Sequence, residues 1–257
     1  MQMIILAAGR GTRLRPLTDS SPKCLIELGG RSLLDWQLEA AEKVGIPEVV
    51  VVGGHLAERL QRPGLRLVIN QDYDSTNMVY SLFCAESSFG RGFVLSYGDV
   101  VYDVSVLQAL LANHAPVAVV VDRNWLDYWR LRFTDPLSDA ESLRMDETGR
   151  IRSIGQPEKD VTHIDGQYIG LVAFRESGVD ALRQTYATAL RDEEAGLLPF
   201  NGSRPLRNLF VTDLLQGMID LGHSVISVPI SGGWLEIDSL HDLQLASRLV
   251  KNGRIKR

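Results

Sequence analysis

Residues 3–34 read MIILAAGRGTRLRPLTDSSPKCLIELGGRSLL, and this stretch decides the fold. Its apolar start, Met3-Ile4-Ile5-Leu6-Ala7-Ala8, has the length and continuity of a strand buried on both faces. The strand runs directly into Gly9-Arg10-Gly11-Thr12-Arg13. Glycine lets a backbone turn sharply and bring its N–H groups close to an anion. Arg10, Arg13, Arg15 and Lys23 lie in the same segment. A buried strand feeding a glycine turn ringed by cations has the chemistry of a polyphosphate site.

Two common phosphate motifs fit this loop poorly. A P-loop needs a lysine directly after its last glycine, whereas Gly11 is followed by Thr12 and Lys23 lies well downstream. A dinucleotide fingerprint, GxGxxG, would use Gly9 and Gly11 but meets Leu14 at its third position, and Pro16 blocks early helix continuation. The next strand ends Val51-Val52-Gly53-Gly54, without the acidic residue such a site places there. What remains is a long cationic loop, residues 9–22, between a strand and Lys23. The stretch resembles the signature LAAGxGxRLxPLTxxxPKxLxxLxGxPLL of the nucleotidyltransferases that join a nucleoside triphosphate to a phosphorylated small molecule. Ser32 stands where that signature often has proline. The resemblance implies an α/β fold, with a mostly parallel, Rossmann-like mixed sheet flanked by helices. It implies Mg²⁺ as cofactor and a nucleotide lined by Leu6, Ala7, Ala8, Gly9, Gly11 and Thr12. Lys23, after Ser21-Pro22, suits the α-phosphate or the leaving pyrophosphate, and Arg13 the β- and γ-phosphates.

The chain has 257 residues, 45% of them hydrophobic, ample for one sizeable core. We expect a single domain, residues 1–257, with a nucleotide-binding half to about residue 103 and an acceptor-binding half from 104 onward. The formal net charge of −5 argues against a general nucleic-acid binder, so the loop cations are local. Cys24 and Cys84 are too few for a disulfide framework, which fits a reduced, cytoplasmic protein. No apolar run has the length of a membrane span. A homodimer stays open.

Strand and helix patterns alternate. Residues 32–44, 77–89 and 105–113 read as helices, and 49–52, 65–69, 93–97 and 117–121 as strands. The order predicts a mostly parallel sheet with helices on both faces. In the helix at 77–89 we expect Tyr80, Phe83 and Cys84 to face inward. In the second half, residues 143–154 read as a hairpin turning at Asp146-Glu147-Thr148-Gly149, 168–174 and 225–228 as strands, and 178–190, 208–221 and 239–250 as helices. Residues 191–207 read as a loop or lid.

Asp99 ends the strand that contains Phe93-Val94-Leu95-Ser96-Tyr97-Gly98. Ligands of open α/β sheets bind at such carboxyl ends, and a carboxylate there can hold Mg²⁺ or cap a turn. Asp238 precedes Ser239, which has capping-box spacing to Asp242, so on spacing alone a helix cap is the better reading. The resemblance shifts this balance. In that superfamily a Gly-Asp after a central strand and a later Asp before the last helix hold the metal together, and Asp99 and Asp238 match them.

Residues 70–82, NQDYDSTNMVYSL, lack the PxGLAxA-type motif of the hexose-1-phosphate branch. They resemble the corresponding segment of bacterial CTP:phosphocholine cytidylyltransferases, with Met78 in place of a second Asn. That resemblance implies CTP as donor, with Asn77 and Ser81 as nucleotide contacts. Trp125, Tyr128 and Trp129 cluster in the acceptor half, where aromatic faces can take a quaternary ammonium or can form a satellite hydrophobic cluster. Asp213 and Glu236 fall where the phosphocholine enzymes carry acids near the cationic head. The expectation is CMP transfer to a small phosphorylated or phosphonate acceptor, such as phosphocholine. A hexose-1-phosphate nucleotidyltransferase and a non-catalytic nucleotide-binding regulator are the alternatives.

Overall fold

The computed structural model describes residues 1–255, apart from the side chain of Asn201. Strand β1 (Gln2–Ala7) lies inside a seven-stranded sheet with β2 (Val49–Gly53), β3 (Arg66–Ile69), β4 (Gly92–Tyr97), β5 (Val117–Asp122), β6 (Gln167–Arg175) and β7 (Ile226–Ile230). The spatial order is β7-β5-β6-β4-β1-β2-β3. Strand β6 is antiparallel to both of its neighbours, and the other pairings are parallel. The mixed, mostly parallel sheet expected from the sequence is present. Strands from both halves of the chain share it.

Alternation along β1 divides the core. Met3 and Ile5 enter one apolar cluster, Ile4 and Leu6 the other, as a period-2 strand requires. The first cluster takes residues of α1 (Leu33–Lys43), α3 (Val104–Ala112), α4 (Trp125–Arg132) and α7 (Leu240–Lys251). The second takes α2 (Met78–Cys84), α5 (Ser177–Glu194) and α6 (Val211–Asp220). Each fully buried Ile or Leu stabilises the fold by roughly 1.5–3 kcal/mol.

Several local expectations change. Helix α2 ends at Cys84; Val79, Ser81 and Leu82 are its buried residues, and Phe83 and Cys84 pack half-buried against the second cluster as expected. Tyr80 instead donates its hydroxyl to Asp72, 2.9 Å away, on the exposed side. Helix α5 continues to Glu194 and α6 starts at Val211, so the irregular segment is 195–210 rather than 191–207. Residues 125–132 form a helix, which sets Trp125, Tyr128 and Trp129 at i, i+3 and i+4 on one face. The hairpin forms from Glu141–Met145 and Ile151–Pro157 around its Asp-Glu-Thr-Gly turn. Among the described residues no helix is long and apolar enough to cross a membrane.

Candidate active site

The loop after β1 is pinned at both ends. Gly11 has φ 62°, a left-handed conformation that favours glycine, and a Cβ there would press on Thr18 and Lys23 at about 3.0–3.1 Å. Thr18, buried, donates its hydroxyl to the Gly11 carbonyl at 2.8 Å. Pro22 then precedes a short turn, Lys23–Leu25, which starts Lys23 toward the sheet.

Asp99 is placed by the turn after β4. A Cβ at Gly98 would lie 2.6 Å from the Leu6 carbonyl, so only glycine lets this turn sit against β1. The buried Gln37 amide donates to the Tyr97 and Val100 carbonyls, both at 2.8 Å, and holds the turn from the other side. Val100–Tyr102 then pairs antiparallel with Trp234–Glu236, and the Ile237 N–H donates to the Asp99 carbonyl at 3.0 Å. This small ribbon delivers Asp238 beside Asp99.

The helix cap falls on Ser239, not Asp238. Ser239 Oγ accepts the Asp242 N–H at 3.1 Å, and Asp242 Oδ2 accepts the N–H groups of Ser239 and Asp238 at 2.9 and 3.2 Å. The Asp238 carboxylate is left to face the cleft. Arg13 donates to its Oδ2 at 2.9 Å, and Lys23 Nζ pairs with its Oδ1 while also donating to Asp99 Oδ2 at 2.7 Å. Burial alone would lower the Lys23 pKa, but Asp99 and Asp238 more than reverse this, so the ammonium is held charged. Burial likewise opposes ionisation of Asp238, and Lys23 with Arg13 outweighs it, leaving that carboxyl below its usual range.

Leu6, Ala7, Ala8, Gly9, Gly11, Thr12, Arg13, Lys23, Asn77, Ser81, Asp99 and Asp238 line one cavity of about 280 Å³. It opens at the carboxyl ends of β1 and β4, the place ligands take in open α/β sheets. Asn77 is also the N-cap of α2, accepting the Met78 N–H at 2.8 Å, and Ser81 Oγ accepts from the buried Asn70 amide at 3.0 Å. Tyr73, Thr76 and Cys24 line the cavity too. Burial pushes the Cys24 thiol up to about 12. Arg10 leans over the Tyr73 ring, and Arg15 pairs with Asp19.

A second cavity, of about 270 Å³, shares Arg13, Met78 and Tyr97 with the first. Trp129 and Glu236 line it; Trp125, Tyr128 and Asp213 do not. Trp125, Tyr128 and Trp129 are each at most 3% exposed, and the Arg132 guanidinium lies 5.5 Å from the Tyr128 ring and 5.3 Å from the Trp129 ring. Asp213 accepts the Phe210 N–H and pairs with Arg204. Asp139, Glu141, Tyr168, Phe210 and Trp234 also line this cavity and were not assigned to a site from the sequence. Nothing in the hairpin pattern marks Glu141 as a cavity residue. Burial raises the pKa of Asp139 and of Glu141, with neighbouring Asp213 adding to the rise at Glu141. Burial likewise pushes Glu236 up to about 8, although Arg132 beside it opposes this.

Asp99, Glu236 and Asp238 each present an oxygen within 4.8 Å of one another. Asp99 Oδ1 is buried without a hydrogen-bond partner. Hard carboxylate oxygens around an orphaned acceptor fit a divalent cation of the Mg²⁺ type, and Lys23 Nζ occupies the space between two of them.

A family model described as a MobA-like NTP transferase domain matches residues 3–184. The chain belongs to this family. It is 36% identical over 256 residues to the CTP:phosphoglutamine cytidylyltransferase of Campylobacter jejuni, covering 95% of the chain and 98% of that relative. It is 29% identical over 178 residues to the choline-phosphate cytidylyltransferase of Streptococcus pneumoniae, covering 65% of the chain and 77% of that relative. Among solved structures, the CTP:phosphocholine cytidylyltransferase of Streptococcus pneumoniae superposes with a TM-score of 0.73 at 20% identity, covering 97% and 98% of the two chains. The inositol-1-phosphate CTP transferase of T. maritima does so at 0.71 and 21%, covering 100% and 98%. These superpositions establish the shared fold. The chain is therefore a nucleotidyltransferase.

Proposed function

We propose that this protein transfers CMP from CTP to a small phosphorylated or phosphonate acceptor and releases pyrophosphate. The observation that carries the reading is Lys23 held between Asp99 and Asp238 at the mouth of the glycine loop. The relatives named as cytidylyltransferases support CTP as donor, as does the segment Asn70 to Leu82. One acceptor oxygen attacks the α-phosphorus, the bond to the bridging oxygen breaks, and pyrophosphate leaves in line. A phosphate monoester has its second pKa near 6, so the nucleophile is already ionised at neutral pH and no general base is required. Asp99 and Asp238 would hold Mg²⁺, which neutralises phosphate charge when bound. Lys23, Arg13 and the loop amides orient the triphosphate and stabilise charge on the departing pyrophosphate.

The second cavity suits the acceptor. Three of its side chains, Asp139, Glu141 and Glu236, are acids, and Arg13, which it shares with the nucleotide cavity, can meet the acceptor phosphate. Acids around an aromatic wall favour a cationic or amide-bearing head group over a neutral sugar. Phosphocholine, phosphoethanolamine and aminoalkyl phosphonates fit that description. A named aminopropylphosphonate relative points the same way: the CMP-5'-(3-aminopropyl)phosphonate synthase of Streptomyces rubellomurinus is 34% identical over 131 residues. That match covers 48% of the chain and 21% of the relative.

The test is pyrophosphate release with Mg²⁺ across CTP, UTP, dTTP, ATP and GTP and a panel of phosphorylated acceptors. CTP with a cationic or amide acceptor should give the highest kcat/KM. A preference for UTP or dTTP with glucose 1-phosphate would assign the chain to nucleotide-sugar synthesis. No turnover with any pair, alongside measurable CTP binding, would favour the regulator.

A further inference from the structure

Arg132 is the most completely buried cation near the site, with a side chain 0% exposed. It is packed among aromatic rings, 5.5 Å from Tyr128, 5.3 Å from Trp129 and 4.9 Å from Phe133. Its donors point at the segment that delivers Asp238. Nη1 bonds Glu236 Oε2, and Nε donates to Asp242 Oδ1 at 3.0 Å. Asp242 in turn accepts the Asp238 N–H at 3.2 Å through its other oxygen. Nη2 is buried without a hydrogen-bond partner and lies 4.0 Å from Asp238 Oδ2, the oxygen that Arg13 holds.

We infer that Arg132 is a positioning residue for the cation site: it fixes the segment from Glu236 to Asp238 and takes over Asp238 Oδ2 when Arg13 turns to the nucleotide phosphates. Arg13 is the mobile partner. Its side chain is 62% exposed and it lines both cavities. Arg132, held by packing and by carboxylates on two sides, stays. A buried orphan donor carries a desolvation cost, and a bond to Asp238 satisfies it. A guanidinium suits the task because its donors diverge in a fixed plane, so a head group that bonds Glu236 and Asp242 still has Nη2 free beside Asp238, which a single ammonium point does not offer. Groups that orient metal ligands in this way typically change metal affinity by 10–100-fold when removed. Two of the aromatic residues that the sequence offered as a cage for the acceptor, Tyr128 and Trp129, thus lie against a cation of the chain itself.

This inference rests on the CTP-dependent reading, and the test separates the two. Mn²⁺ is titrated into protein plus CTP without acceptor, and the ternary complex is followed by water-proton relaxation. Native protein, Arg132→Met, Arg132→Lys and Phe133→Leu are compared at a temperature where each is folded by circular dichroism. Arg132→Met should weaken Mn²⁺ binding at least tenfold and Arg132→Lys at least threefold. Phe133→Leu, which loosens the same packing but keeps the guanidinium, should stay within twofold. If Arg132→Met does not fold, Arg132→Lys decides, and a loss below threefold overturns the inference. An equal loss in Phe133→Leu also overturns it, because the role is then packing alone. Absence of any complex with the native protein overturns the CTP-dependent reading itself.

Discussion

Lys23 Nζ donates to Asp99 Oδ2 at 2.7 Å, across 76 positions of sequence, and the same ammonium pairs with Asp238. A cation therefore already stands among the carboxylates that would hold Mg²⁺. On the proposed reading, a nucleotide bound with its metal would displace it, and the phosphate chain would be its destination.

Replacing Lys23 tests both roles. In the free protein, Lys23→Ala leaves two largely buried carboxylates without their shared partner, which typically costs about 3 kcal/mol. For a chain of this length that is on the order of 6–12 °C in Tm. Added Mg²⁺ should restore more of the lost Tm in the variant than it adds to the native protein, since the ion substitutes for the ammonium. In turnover, kcat should fall by more than KM for the nucleotide rises. An effect confined to KM would mean that Lys23 binds ground state and transition state alike.

Asp238 and Ser239 are adjacent and do different work. Ser239→Ala removes the cap of α7 and should cost about 1 kcal/mol of stability while keeping measurable turnover. Asp238→Asn should abolish most turnover and leave α7 capped. Equal losses of Tm in the two variants, with activity surviving in Asp238→Asn, would make Asp238 structural.

This division explains how much of the site the sequence exposed. Residues 3–34 were legible because the strand, the glycine turn and Lys23 are contiguous, and their chemistry is local. Asp238 was ambiguous, since a cap and a metal ligand differ only in where a carboxylate points. The ribbon between Val100–Tyr102 and Trp234–Glu236 settles that direction, and its strands lie far apart in the chain. Glu141 and Asp139 were invisible for a related reason: an acid at the start of a short hairpin, or in the turn before it, gains meaning only when Trp129, Phe210 and Trp234 line the same cavity. Arg132 drew no reading from the sequence, because burial by Tyr128, Trp129 and Phe133 is a tertiary outcome.

Cys24 borders the cavity proposed for the nucleotide yet should be inert. The residue is 1% exposed, and burial pushes its thiol pKa up to about 12, so the thiolate is scarce at any pH below that. Iodoacetamide at pH 8 should modify Cys84, which is partly exposed, before Cys24 in the folded protein. Mass spectrometry of digests locates the label. Rapid alkylation of Cys24, prevented by CTP, would show that the thiol is accessible through the cavity.

The cavity proposed for the acceptor gives the sharpest discrimination. Glu141 faces it from the hairpin, and Trp129 from α4. If the acceptor carries a cation, Glu141→Gln removes the charge that attracts it while keeping the side chain's size and hydrogen bonding. KM for the acceptor should rise about tenfold, equivalent to roughly 1.4 kcal/mol, with KM for CTP unchanged. Trp129→Ala should raise acceptor KM as well, but its ring also supports Arg132, so it should additionally lower Tm. The comparison between acceptors separates the contributions. Loss on Glu141→Gln should be large for aminoalkyl phosphates, smaller for an amide-bearing phosphate, and absent for glucose 1-phosphate. A uniform loss across all three would mean that Glu141 shapes the cavity rather than reading charge. Glucose 1-phosphate outcompeting every cationic acceptor in the native enzyme would remove the case for a charged head group, leaving the acids of this cavity to hold the sugar hydroxyls instead.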